Sequence, residues 1–215
     1  MNGNNSGIQA FGNHFLSAFG FESKRIVEHI PSEVENIRNE KIWVDDLFRL
    51  EDDTLLQLLY HSGSNINERE VWEFVMLHLA VYSKFRQKIR AIIVLSPEIH
   101  DAELKMDKGS IKYNPEALWL SQWNGDQIAR QIDEEIQQNG VLTNEKLSLL
   151  AMLPFMNTQG SRVQRAEEAI QMAKKLADER NRELVIELMQ SMGGKIYAGN
   201  DYDQVVQAFE KAKMI

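Results

Sequence analysis

The chain has 215 residues, 43% apolar and 26% charged, with 24 basic against 32 acidic side chains and a net charge of -8. That is ordinary globular composition, enough for one good core or a domain with an appendage, and its acidity counts against a dedicated nucleic-acid binder unless a local basic face does the work. The absence of cysteine excludes disulfides, iron–sulfur clusters and cysteine-ligated zinc and fits a cytoplasmic protein, and no apolar run approaches the roughly 18–20 residues of a membrane span.

In chain order, residues 1–13, MNGNNSGIQAFGN, read as a disordered leader, since they lack the basic start and apolar stretch of a signal peptide. Residues 15–37 look helical in pieces, broken by Gly20 and Pro31. KIWVDDLFRL, 41–50, alternates and is rich in β formers, so it predicts a strand. EDDT makes a turn with Asp52 and Asp53 at its tip, and LLQLLYHS, 55–62, returns as the second strand of a hairpin. Strand alternation puts Val44, Phe48 and Leu50 on one face and Asp45, Leu47 and Arg49 on the other. With the all-apolar face toward the core, Asp45, Gln57 and His61 share the opposite face. Asp46 has the other parity, so it marks either the strand end or a register shifted by one.

The loop SGSNINERE leads into a helix over 68–86 that is apolar nearly all round and should pack on the sheet. IRAIIVLS, 89–96, is a β-branched run ended by Pro97 and predicts a buried central strand, making an α/β crossover. Short strands follow near 111–113 and 117–120, with Gly109 at the turn. From Asn124 the pattern is helical, with caps at Asn124, Thr143 and Ser161 and a stop at Asn139-Gly140. NTQGS, 157–161, is the best boundary, dividing a domain over 14–156 from a helical region over 157–215. In that region Leu184, Val185, Leu188, Met189 and Met192 form a stripe of core or partner surface, Gly193-Gly194 breaks the helix, and Asp201 with Gln204 starts a last one.

The run VEHIPSEVENIRNEKIWVDDLFRLEDDTLLQLLYHSG resembles the Rpn family of recombination-promoting nucleases and transposases, as do AIIVLSPE, WLSQWNGDQI and LTNEKLSLLAMLPFM. The resemblance implies a PD-(D/E)XK fold, a small mixed sheet flanked by helices, and Mg²⁺-dependent phosphodiester hydrolysis by an Asp on one strand and a Glu-x-Gln or Glu-x-Lys on the next. It places the family Asp at Asp45, the hairpin Gly at Asp53, the Glu at Leu59 and the Gln at His61. Leucine cannot ligate Mg²⁺, so the implied site is degenerate, with Asp45 as metal ligand and Gln57 and His61 beside it. Glu28 and Glu33 are the nearest candidates for the acidic residue that an N-terminal helix often supplies in such folds.

Each residue also has a plainer reading. Asp45 can be a solvated strand residue, His61 a polar hairpin-end residue, and His78 a satisfied core histidine. Lys84, Arg86, Lys88 and Arg90 form the densest basic cluster, suited to phosphate contact or to a helix C-terminus. No Gly-rich phosphate loop, HExxH or GxSxG is present, so the motifs give no nucleotide cofactor, zinc-protease or α/β-hydrolase reading. Three functions stay open: a degenerate nuclease-fold protein that binds DNA or assembles, an active Mg²⁺-dependent DNA endonuclease, and an interaction module that forms homo-oligomers through its C-terminal helices.

Overall fold

The computed structural model describes residues 12–197 and 204–209. The leader up to residue 11 lies outside the described residues, as does Asp201, while 12 and 13 open a short helix, α1, over 12–18. Next come β1 (Ile26–His29), β2 (Ser32–Glu35), β3 (Lys41–Val44), β4 (Leu47–Leu50) and β5 (Leu55–His61). They are followed by α2 (Glu68–Phe85), β6 (Ile89–Leu95), β7 (Met106–Asp107), β8 (Lys112–Tyr113) and β9 (Glu116–Trp119). The helices α3 (Gly125–Asn139), α4 (Asn144–Met152), α5 (Arg162–Lys174), α6 (Glu179–Ile196) and α7, over 204–209, complete the chain.

The fold is mixed α/β. Its main sheet has the order β1-β4-β5-β6-β9, with β4 antiparallel to β5 and β5, β6 and β9 parallel. The hairpin, the crossover helix and the β-branched strand of the sequence reading therefore stand as expected. Two expectations fail. Residues 15–37 are not helical beyond α1. They supply β1, which pairs with β4, and β2, which pairs with β3. Glu28 and Glu33 thus sit on strands, paired with Arg49 and Lys41. The strand expected over 41–50 is two strands in different sheets, broken at Asp45-Asp46.

Both faces of the main sheet are covered, which alternation within one hairpin could not reveal. Leu55, Leu59, Ile93 and Leu95 face the apolar residues of α2 and its flanks. Phe48, Leu56, Leu58, Ile92 and Val94 face α1 and the C-terminal helices in one continuous core. The stripe Val185, Leu188, Met189 and Met192 is spent in that core. The 157–161 segment is tied to α3. Asp126 accepts hydrogen bonds from the Thr158 hydroxyl at 2.7 Å and the Gln159 amide at 3.0 Å, and pairs with Arg165. Those bonds, the Thr158 hydroxyl first, hold the Asp126 carboxyl below the usual carboxylate range.

The caps read from sequence are present at Asn124, Thr143 and Ser161, each accepting a first-turn backbone amide. Gly193-Gly194 does not stop its helix, which runs on to Ile196. Gly193 is needed there for a close approach, since a Cβ on it would stand 3.3 Å from the Phe209 ring. The extra turn carries Lys195 to Asp46 on the sheet side of the core, and Tyr197 follows it onto Pro154 and Phe155.

Candidate functional site

The break between β3 and β4 fixes the site. The Leu58 amide donates to the Asp46 carbonyl at 3.0 Å, so Asp46 stands level with Leu58 at the head of the hairpin. Its carboxylate belongs to the face that carries Leu58 and Tyr60, the face toward the C-terminal helices. Asp46, not Asp45, is therefore the acidic side chain on this face, and the second-strand positions facing it are Leu58 and Tyr60, one residue away from Leu59 and His61. The shift follows from the strand break, which an unbroken alternation over 41–50 concealed.

Asp46 opens into a pocket of about 300 Å³ lined also by His29, Asp45, Tyr60, Ser191 and Lys195. Asp46 is 8% exposed. The Lys195 ammonium, from the last turn of α6, forms an ion pair with Asp46 Oδ2. The same ammonium lies 5.1 Å from the centre of the Tyr60 ring, where the ring's negative face attracts it. The Tyr60 hydroxyl is enclosed beside the Asp46 carboxylate, which takes part in holding its proton. Burial first, then the negative charge of Asp46 and Asp45, pushes its phenol well above the usual tyrosine range. Asp45 itself is exposed, and its carbonyl accepts from His29 Nε2 at 2.6 Å.

The other expected site residues lie elsewhere. Gln57 is on the α2 face with 0% exposure, and neither end of its amide has a hydrogen-bond partner. His61 is on the same face as Gln57, donating to the Asn65 carbonyl at 2.8 Å and set edge-on to Phe74. Asp45, Gln57 and His61 are thus not brought together. Leu59 is core, 4% exposed. The hairpin tip is a turn, with Asp53 at φ 60, the left-handed conformation that a Gly or an Asp tolerates, and Asp52 accepting from Thr54.

The buried Gln57 gives a direct prediction. A buried amide without partners costs about 1–3 kcal/mol relative to an apolar group of similar shape. Gln57→Met is expected to raise the urea midpoint at unchanged slope, corresponding to a gain in that range. A loss of stability would mean that the amide has a partner the geometry does not reveal.

The basic cluster also divides. Lys84 donates to the Glu33 carbonyl at 2.9 Å, and Arg86 lies over Tyr82 as the left-handed cap of α2. Arg90 is held by Glu116 through two hydrogen bonds of 2.5 and 2.7 Å. Lys88 and Arg90 line a second, larger cavity, whereas Lys84 and Arg86 do not. Of the four, only Lys88 and Arg90 therefore share a cavity. His78 is half-buried beside Tyr113, without a partner for its Nδ1.

Mg²⁺ takes six oxygen ligands in near-octahedral geometry. Around Asp46 the hairpin neighbours are a leucine and a tyrosine, and the carboxylate already pairs with an ammonium. Among the described residues no group of three or more His, Asp or Glu is arranged to hold a metal ion. The residues present do not fit the metal that the resemblance implies. No described helix is long and apolar enough to cross a membrane. Comparison with known proteins gives no neighbour to weigh against this geometry: no family model, no curated protein and no solved structure matches the chain.

Proposed function

We propose that this chain is a PD-(D/E)XK-type protein, related to the Rpn nucleases, whose metal position has become a structural ion pair. On this reading it acts through DNA-related binding or assembly, not cleavage. The observation that carries the reading is the Lys195–Asp46 pair. A nuclease of this type needs its hairpin carboxylate free to hold a divalent cation and a second carboxylate on the next strand. Here a cation from the chain itself meets the first carboxylate, and Leu58 and Tyr60 face it from the next strand.

A second reading has one observation in its favour. Asp45, Asp46 and His29 line one pocket, and an active Mg²⁺-dependent endonuclease would draw on them. Nicking of supercoiled plasmid with Mg²⁺ or Mn²⁺ separates the two. The expected result is that the wild type, Asp45→Ala and Asp46→Asn share one background rate. Metal-dependent nicking by the wild type, lost in Asp46→Asn, would establish the enzyme instead.

A further inference from the structure

A cavity of about 740 Å³ lies on the α2 side at the starts of β6 and β9, and it shares no lining residue with the Asp46 pocket. Its size falls within the range of small-molecule sites, which run to roughly 300–1,000 Å³. The wall is half apolar in character. Val75 and Leu79 of α2, with Ile111 and Pro115, line one side. Leu79 of α2 and Ile111 are exposed large apolar side chains.

The polar part of the wall is cationic. Lys24, Lys88, Arg90 and Lys112 line it against Glu22, Asp52 and Glu116. Two of the three carboxylates are already engaged. Glu116 is held by Arg90, which also donates to the Glu22 carbonyl at 2.5 Å, and Asp52 accepts from Thr54 within its own turn. Lys112 pairs with Asp107, which lies outside the cavity wall. Among the described residues no carboxylate stands within ion-pair distance of Lys24 or Lys88, and the charge of Lys24 acts at longer range on Asp52. A chain of net charge -8 thus concentrates ammonium groups around one concave site.

A separate observation points to a ligand. Tyr113 is 7% exposed, lines the cavity, and its hydroxyl has no hydrogen-bond partner. His78, set edge-on to Tyr113 with ring centres 5.5 Å apart, lines it too, and its Nδ1 is likewise unpartnered. Buried polar atoms are nearly always hydrogen-bonded. Two enclosed, unpartnered ones among the residues lining one cavity describe a wall that lacks its polar partner within the chain. Burial keeps the His78 imidazole below its usual value, so it meets a ligand as a neutral ring.

We propose that this cavity binds a small phosphate monoester, with its phosphate between Lys24 and Lys88 and its body against Leu79, Ile111 and Tyr113. The bidentate Arg90–Glu116 pair is a positioning pair, since each of the three guanidinium nitrogens already donates a hydrogen bond within the chain. This inference does not depend on the nuclease-like reading.

Calorimetry and thermal shift on the full chain test it, with inorganic phosphate, phenyl phosphate, AMP and a 5′-phosphorylated oligothymidylate as probes. The expected result is one site for phenyl phosphate or AMP, tighter than for inorganic phosphate. Affinity should fall by about tenfold or more in the surface double variant Lys24→Ala/Lys88→Ala, the size of one lost charge-assisted contact. Tyr113→Phe, which keeps the ring in place, should weaken binding of AMP without lowering the melting temperature of the free protein. No heat and no thermal shift with any of the four would overturn the proposal. So would binding that survives the double-lysine variant unchanged. Affinity that appears only with the oligonucleotide and grows with its length would replace it with a nucleic-acid surface.

Discussion

Leu59→Glu is expected to lose about 3–5 kcal/mol of stability, because it puts an unpaired carboxylate into a closed core. Leu59 is 4% exposed and packs in the cluster of Val71, Val75 and Ile93, between the sheet and α2. No cation is placed to meet a carboxylate among those side chains, and a domain of ordinary stability has only about 5–15 kcal/mol to lose. Leu58→Glu should be tolerated better. That side chain lines the Asp46 pocket, where the Lys195 ammonium and the open volume can receive a carboxylate. Urea denaturation of the two single variants therefore reads the register of the hairpin. Leu59→Glu is expected to be clearly the more damaging. The reverse order would mean that β5 is turned over and that Leu59, not Leu58, faces the site.

The contrast also indicates what the sequence could and could not convey. β5, α2 and β6 were legible because each carries a dense, periodic apolar signal: LLQLLY, VWEFVMLHLAVY and IRAIIVL. Their pairing followed from the crossover. The hairpin's inner register was not legible, because KIWVDDLFRL alternates straight through a break that only the pairing of β3 with β2 creates. Gln57 misled for a related reason. A polar residue in a strand suggests a wet face, yet both faces of this sheet are covered, and the amide is enclosed. Tertiary packing decided against local pattern in both cases. Lys195 gave a weaker signal still. It stands 149 positions from Asp46 and follows Gly193-Gly194, which reads as a helix stop. The Phe209 ring packs close to Gly193, a contact between distant segments that no window of sequence contains. Spacing could offer Lys195 only as one more charge on an amphipathic helix.

Lys195→Met should destabilise the protein by about 2 kcal/mol, since it leaves Asp46 as an unpaired carboxylate against the apolar pocket wall. The cost stays below the roughly 3–5 kcal/mol of a fully enclosed pair because water reaches about a fifth of the lysine side chain, 22% exposed against 9% for Asp46. Part of the loss comes from the ammonium's place over the Tyr60 ring, which methionine fills without charge. Asp46→Asn alone should cost less, because the released ammonium can turn toward solvent. The double variant Asp46→Asn/Lys195→Met should recover much of the single Lys195→Met loss, because no charge is then left stranded.

On the proposed reading Asp46 serves the chain's own lysine and not a metal. A double-mutant cycle on Asp46→Asn and Lys195→Met, read by urea denaturation with and without Mg²⁺, separates the two. The expected result is a favourable coupling of about 1–2 kcal/mol that Mg²⁺ leaves unchanged. Coupling within about 0.3 kcal/mol of zero, or Mg²⁺ stabilising the wild type through Asp46, would contradict it.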